Sequence, residues 1–211
     1  MIIAVASLKG GVGKTALSIF LSQALKGCGK SVIAVDLDAN NNLSDYFLRT
    51  TERSSPDWLT GGAFKESVQK TEYGVDVLPC TTAIRSLNLT EKLSLRMKKD
   101  LARYDLAIID TPPAFAAELR LALSVADLVL TPVLHGRWSL QAMAPLGRSR
   151  AVPSMVTAKQ AREIAASTEA TVSFISRSAA VKTACDRALP LRETSRSFQE
   201  YLALAREILG T

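Results

Sequence analysis

Histidine is almost missing. His135 is the only one in 211 residues, which excludes a multi-histidine metal site and a His–His proton relay. His135 itself, with no partner visible in the sequence, is read as structural. Cysteine is nearly as scarce: Cys28, Cys80 and Cys185 lie far apart. An odd, scattered set argues against a disulfide framework and a Cys-clustered metal site, and suits a reducing compartment. No apolar run approaches the roughly 18 residues that cross a bilayer. The opening stretch, Met1-Ile2-Ile3-Ala4-Val5-Ala6-Ser7, has no basic residue and leads straight into glycines, so it does not read as a signal peptide. Repeats are absent, and the only low-complexity stretch is Asn40-Asn41-Asn42. What is present, 47 % apolar and 22 % charged residues, excludes a disordered chain. The length suits one core and one domain, 1–211.

Acidic residues are short at one end. Residues 1–136 carry 15 Lys+Arg against 14 Asp+Glu, whereas 137–211 carry 11 against 6. Nearly all of the net charge of +6 therefore sits in the last third, mostly as arginine. Such asymmetry points to a polyanionic partner, DNA or an acidic membrane surface, or simply to a solvated basic face.

Hydropathy patterning predicts alternating strands and helices. Residues 2–7, 31–36, 75–78, 106–110 and 128–133 read as short buried strands. Residues 15–26, 90–103 and 114–125 carry apolar positions at helical spacing, and Gly27 and Gly29 close the first of these. The polar stretch 50–62 reads as a loop. Further on, 140–150 and 157–167 read as helices, 171–176 as a strand, and 195–209 as a closing amphipathic helix. Strand–helix alternation predicts an α/β fold, a mostly parallel sheet with helices on both faces. Ligands of such sheets bind beyond the carboxyl ends of the strands.

The chemistry-bearing motifs fall at those ends. Lys9-Gly10-Gly11-Val12-Gly13-Lys14-Thr15 follows the first strand and opens the first helix, which is the context a P-loop requires. Its glycines let successive amides wrap a phosphate at the positive end of a helix. Lys14 is placed to bridge the β- and γ-phosphates, and the Thr15 hydroxyl to meet Mg²⁺. Leu8 stands where the strict Walker pattern has its first glycine, and a second lysine, Lys9, opens the loop. Asp36-Leu37-Asp38 ends the second strand, where a carboxylate can reach a Mg²⁺ shell or orient a water. Leu106-Ala107-Ile108-Ile109-Asp110 is an apolar strand ending in Asp, the Walker B form, with Asp110 placed to hold Mg²⁺ through water.

Together these residues resemble the ParA/MinD family of P-loop ATPases. Residues 9–15 look like its deviant Walker A motif. The stretch from Asp36 to Ser44 is similar to its Asp-x-Asp-Pro-Gln-x-Asn-Leu-Ser/Thr switch, and Asp110-Thr111-Pro112-Pro113 to its Asp-x-Pro-Pro switch. Leu128 to Val133 is similar to its next core strand, and Ala188 to Glu193 to its late Ile-Pro-Arg segment. The resemblance implies a P-loop NTPase fold, ATP and Mg²⁺, and a nucleotide-sandwich homodimer in which Lys9 reaches the partner's phosphates. It implies nucleotide contacts from Lys9, Gly10, Gly11, Val12, Gly13, Lys14, Thr15, Ala16 and Pro190. Metal contacts follow from Thr15, Asp36 and Asp110, and Asp38 positions the attacking water. Three departures stand out: Ala16 replaces a threonine, and Ala39 and Asn40 replace Pro and Gln, which bears on the hydrolysis rate more than on binding.

For ParA-type members the resemblance implies nonspecific DNA binding by late basic residues, here Arg177, Lys182, Arg187, Arg192 and Arg196. It further implies a centromere-binding or cargo-adaptor protein that stimulates hydrolysis, and a cytoplasmic, nucleoid-associated location. With Met1 immediately ahead of the first strand, no preceding helix-turn-helix domain is expected. A MinD-like membrane switch would need a basic amphipathic C-terminal helix. Residues 198–209 carry two Glu against one Arg, so this helix is expected to pack on the sheet. A nucleotide-gated scaffold with little turnover is a further alternative. A metal-cluster carrier would need paired cysteines, which this chain lacks.

Overall fold

The computed structural model describes residues 1–49, 58–79 and 90–211. Cys80 and the first part of the loop expected over 50–62 lie outside them. Six strands form one sheet: β1 (Ile2–Val5), β2 (Val32–Asp36), β3 (Asp76–Leu78), β4 (Leu106–Asp110), β5 (Leu128–Val133) and β6 (Arg150–Pro153). The spatial order is β3-β2-β4-β1-β5-β6, and every neighbouring pair is parallel.

Parallel strands need crossovers, and helices supply them on both faces. Alternate residues of each strand serve opposite layers. Ile3, Val5, Val32, Ala34 and Ile108 pack with α1 (Lys14–Gly27), α2 (Asn42–Leu48), α8 (Ala179–Asp186) and α9 (Arg196–Leu209). Ile2, Ala4, Ile33, Val35, Ala107 and Ile109 pack with α4 (Glu91–Leu101) and α5 (Ala117–Val125). Buried Trp58, in a short 3-10 turn, and Phe64, which opens the one-turn α3 (Phe64–Ser67), join this second layer. A smaller cluster seats α7 (Ala158–Ala165) over Val133 and Ala151.

Thr90 caps α4 by accepting from the Leu93 amide, and Thr157 with Gln160 makes a capping box on α7. The closing helix, expected to pack on the sheet, joins the core chiefly through α1. Phe198, Tyr201, Leu204 and Ala205 are buried, and the Tyr201 ring lies 5.3 Å from that of Phe20 on α1.

Two expectations for the last third are corrected. Residues 140–150 do not form one helix. A short α6 (Arg137–Gln141) and a 3-10 turn, Ala144–Leu146, stand there, and Arg150 already opens β6. Pro145 lacks an amide donor and Gly147 adopts φ +70°, so the helix cannot run on. The sixth strand is therefore β6 and not 171–176. The later segment makes only isolated parallel bridges, Ala170 to Ala151 and Ile175 to Ser154. The Thr171 and Ile175 amides donate to the Ala151 and Pro153 carbonyls of β6, but others find side-chain acceptors: Val172 and Ser173 donate to Glu207 (2.9 and 2.8 Å), and Ser176 to Glu200 (2.8 Å). The two glutamates of α9 thus take the place of a strand partner.

Candidate functional site

The first turn of α1 faces a cleft of about 1360 Å³ at the carboxyl ends of the strands. Gly11 and Gly13 lie at φ +71° and +91°, in the left-handed region where a side chain is strained. Their conformation turns the loop back over the helix start. Gly13 supplies no side-chain cap to α1, and the first turn holds no acid. The helix therefore presents unpaired amides and its positive dipole end to whatever enters.

Lys14 is buried, and its ammonium donates to the Lys9 carbonyl at 3.2 Å. Burial lowers its pKa, against the raising effect of Asp110 and Asp38. A cation held partly desolvated beside carboxylates is ready for a multiply charged anion.

Strand register brings the acids together. Asp36 pairs with Asp110 across β2 and β4, and Val5 with Asp110 across β1 and β4. Asp110 accepts from the hydroxyls of Thr15 (2.8 Å) and Ser18 (2.9 Å). Burial, with the Asp36 charge behind it, pushes the Asp110 carboxyl up to about 7 despite those two bonds. Asp36 accepts from the Ser44 amide (2.9 Å) and hydroxyl (2.7 Å), and from the Asp38 amide (3.0 Å). Burial raises it to about 6. Asp38 is held by the Asn40 amide, 3.0 Å from its carboxylate, and by Asn41, whose amide donates to its carbonyl.

Thr15, Asp36 and Asp110 offer hard oxygen donors beside the P-loop. No group of three or more His, Cys, Asp or Glu among the described residues forms a complete metal cage. That donor set suits Mg²⁺, which keeps waters and takes one or two carboxylates together with substrate phosphates.

The expected site residues divide into those the cleft gathers and those it does not. Gly10, Gly11, Val12, Gly13, Lys14, Thr15, Ala16 and Asp38 line it, as do Arg177, Lys182 and Arg187. Asp36 and Asp110 lie beneath, almost wholly buried. Lys9 is exposed at the loop's start, with its ammonium 3.5 Å from the Ser139 hydroxyl on α6. Pro190 is exposed just beyond the wall residues Ala188 and Leu189. Arg192 and Arg196 are exposed outside the cleft, and Arg196 donates to Glu200 at 3.0 Å. His135 meets Glu163 of α7 at 2.7 Å, away from the cleft wall.

Sequence reasoning missed Ser18, although a serine on the buried face of an apolar helix, three residues after Thr15, is a usable signal. It named Arg177, Lys182 and Arg187 only as basic residues, and missed the rest of the far wall, Ser154, Met155, Ile175, Ala188 and Leu189 among them, which only the three-dimensional fold assembles. Asn41, Arg49, Met155 and Ala188 are the non-glycine residues with positive φ among those described. Arg49, Met155 and Ala188 line the cleft, and Asn41 lies between the lining residues Asn40 and Asn42. Strain of this kind gathers at functional sites.

The family model described as an AAA domain matches residues 1–152. The chromosome partitioning protein ParA of Caulobacter vibrioides is 31 % identical over 163 residues, covering 70 % of this chain and 61 % of that protein. This chain belongs to the ParA/MinD family of P-loop ATPases. It spans less than two-thirds of the length of that relative. Solved ParA/MinD-type structures share its fold from end to end. The Borrelia burgdorferi plasmid partition protein bound to AMPPNP superposes with a TM-score of 0.81 at 20 % identity, covering 99 % of this chain and 98 % of that one. The septum site-determining protein MinD of Pyrococcus horikoshii, complexed with Mg-ADP, gives 0.82 at 19 % identity over 98 % and 95 %.

Proposed function

We propose that this chain is a ParA-type switch that binds Mg-ATP, dimerises on it, binds DNA nonspecifically as the dimer, and hydrolyses ATP slowly until a partner stimulates it. The reading rests on one observation. The Lys9-to-Thr15 loop shares a cleft mouth with Asp38, above Asp36 and Asp110, at the carboxyl ends of adjoining strands. With phosphates on the P-loop, the nucleoside would lie along the rest of the cleft, whose far wall is built from residues between Ile175 and Leu189.

The residues then take these roles. The 10–15 amides and Lys14 bind the phosphates and hold them in line. Lys9, exposed at the loop's edge, reaches a second copy's nucleotide. Asp38 holds and orients the attacking water. Thr15 and Asp110, with Asp36 beside them, would hold Mg²⁺, which supplies charge neutralisation between the β- and γ-phosphates when bound. Pro190, next to the wall, is assigned to the base. Ala16, Ala39 and Asn40 favour slow intrinsic turnover.

A two-fold dimer doubles every basic feature. Arg177, Lys182, Arg187, Arg192 and Arg196 would meet DNA phosphates at or near the cleft rim, where nucleotide state can alter their placement. A centromere-binding or cargo-adaptor protein would trigger release, so the switch would segregate or position a plasmid, chromosome or other cargo in the cytoplasm, on the nucleoid. No described helix is long and apolar enough to cross a membrane. The apolar face of α9 is spent on the core, so α9 itself does not serve as a MinD-like amphipathic anchor.

The test is binding to nonspecific duplex DNA with Mg-ATP, with Mg-ADP and without nucleotide, over a salt series, beside acidic liposomes. ATP-specific DNA binding that falls steeply with salt is the expected result. Liposome capture without DNA binding would replace this reading with a membrane switch, and neither would leave a nucleotide-gated scaffold.

A further inference from the structure

The loop after the Asp38 strand runs directly into α2, and the end of α2 grips the opposite wall of the cleft. The Tyr46 hydroxyl donates to the Leu189 carbonyl at 2.8 Å and accepts from Gln23 of α1 at 3.0 Å. Arg49, just past α2, donates to the Ala188 carbonyl (3.0 Å) and to the Tyr73 hydroxyl (2.8 Å), and pairs with Glu72 (3.0 Å). Tyr73 adds its own bond to the Ala188 carbonyl at 3.0 Å. Its ring packs on Tyr46 and Phe47, each 5.5 Å away between centroids.

Two residues in this contact are strained. Arg49 sits at φ +51° and Ala188 at φ +48°, and they are bonded to each other. Such conformations persist only where the surroundings over-determine them. Here the determinants are three side chains from α2 and the approach to β3, converging on two consecutive carbonyls. The same two residues carry the rim: Ala188 and Leu189 line the cleft, and Leu189 leaves 43 % of its surface open. A large apolar side chain held open at a cleft rim is a surface for a ligand's flat apolar part.

We propose that Tyr46, Arg49 and Tyr73 form a clasp that positions the Ala188 and Leu189 rim for the nucleoside of the bound nucleotide and ties that rim to the helix following the Asp38 loop. The proposal rests on the nucleotide reading above. Arg49 and Tyr73 are positioning residues, acting through the rim and not on the phosphates. The clasp therefore makes the two ends of the site one body. A shift of the Asp38 loop carries through α2 to the nucleoside wall, and loss of the clasp is felt by ligands that have a nucleoside and not by those that lack one.

That difference is the test. Isothermal titration of the full chain with Mg-ADP and, separately, with inorganic pyrophosphate plus Mg²⁺ compares the wild type with Arg49→Ala, Arg49→Lys and Tyr73→Phe. Arg49→Ala and Tyr73→Phe are expected to weaken Mg-ADP about fivefold, the worth of one hydrogen bond, with pyrophosphate affinity within twofold of wild type. Arg49→Lys, which keeps a donor for the Ala188 carbonyl, recovers part of the loss. Tyr73→Phe removes a single hydroxyl from a half-buried ring, and circular dichroism verifies its fold, so a global effect of Arg49→Ala does not decide the matter. Equal weakening of both ligands, or unchanged ADP affinity in both variants, overturns the clasp while the nucleotide reading stands. A wild type that binds pyrophosphate but not ADP overturns the nucleoside wall and the clasp together, and one that binds neither overturns the P-loop reading itself.

Discussion

Lys14, Thr15, Ser18, Asp36, Asp38 and Asp110 form one small polar cluster at the foot of the cleft. Lys14 is buried with its charge partly desolvated, and two carboxyls are pushed upward side by side. Lys14→Ala removes the cation that the β- and γ-phosphates need. ATP binding should fall below detection by fluorescence titration while the fold remains. The acids give a pH signature. Asp36 and Asp110 hold protons to about 6 and about 7 in the folded chain, but release them near 4 when unfolded. Between those values the folded state binds more protons, so stability falls as pH rises through roughly 4 to 7. The thermal midpoint measured in EDTA should therefore drop across that window, and Asp110→Asn should flatten the drop. A midpoint that climbs from pH 5 to 7 would show that the two carboxyls are not the groups that govern it.

The helices and strands that carry these groups differ in what holds them. Strands β1, β2 and β4 are buried at every position and α1 turns an apolar face to the core, and their apolar runs are plain in the sequence. That is why the P-loop and both acidic strand ends were legible before any coordinates. The last third was not. The 140–150 stretch has helical spacing, but Pro145 and Gly147 interrupt it, and Arg150 to Pro153 is a strand only because β5 lies alongside. The 171–176 stretch has strand-like composition, yet only its Thr171 and Ile175 amides reach β6, while those of Val172, Ser173 and Ser176 go to Glu207 and Glu200 of α9. No local pattern reports an acceptor that arrives some 25 to 35 residues later. The far wall of the cleft escaped for the same reason. Helix α9 thus serves twice, filling the core beside α1 and bracing that wall. Leu204 is fully buried there. Leu204→Ala should cost about 2–5 kcal/mol through the cavity it leaves, read from the midpoint of urea unfolding. A loss under about 0.5 kcal/mol, the range of surface substitutions, would mean that α9 is not part of the core.

At the scale of the whole molecule, the chain carries its positive excess in the last third, and part of that excess lines the P-loop cleft instead of a separate face. On the proposed reading, nucleotide state and polyanion binding would share one rim, and a dimer would present that rim twice. Lys9 is exposed, and its ammonium lies a long 3.5 Å from the Ser139 hydroxyl, which suits the proposed reach to a second subunit. The most direct test of this account is the solution mass by light scattering with Mg-ATP, with Mg-ADP and without nucleotide. The wild type should be a monomer with ADP and a dimer with ATP. Asp38→Ala should hold the dimer longer, because the water is no longer oriented. Lys9→Ala should bind ATP and stay monomeric. A wild type whose mass ignores the nucleotide, or a Lys9→Ala protein that dimerises on ATP as the wild type does, would contradict the account.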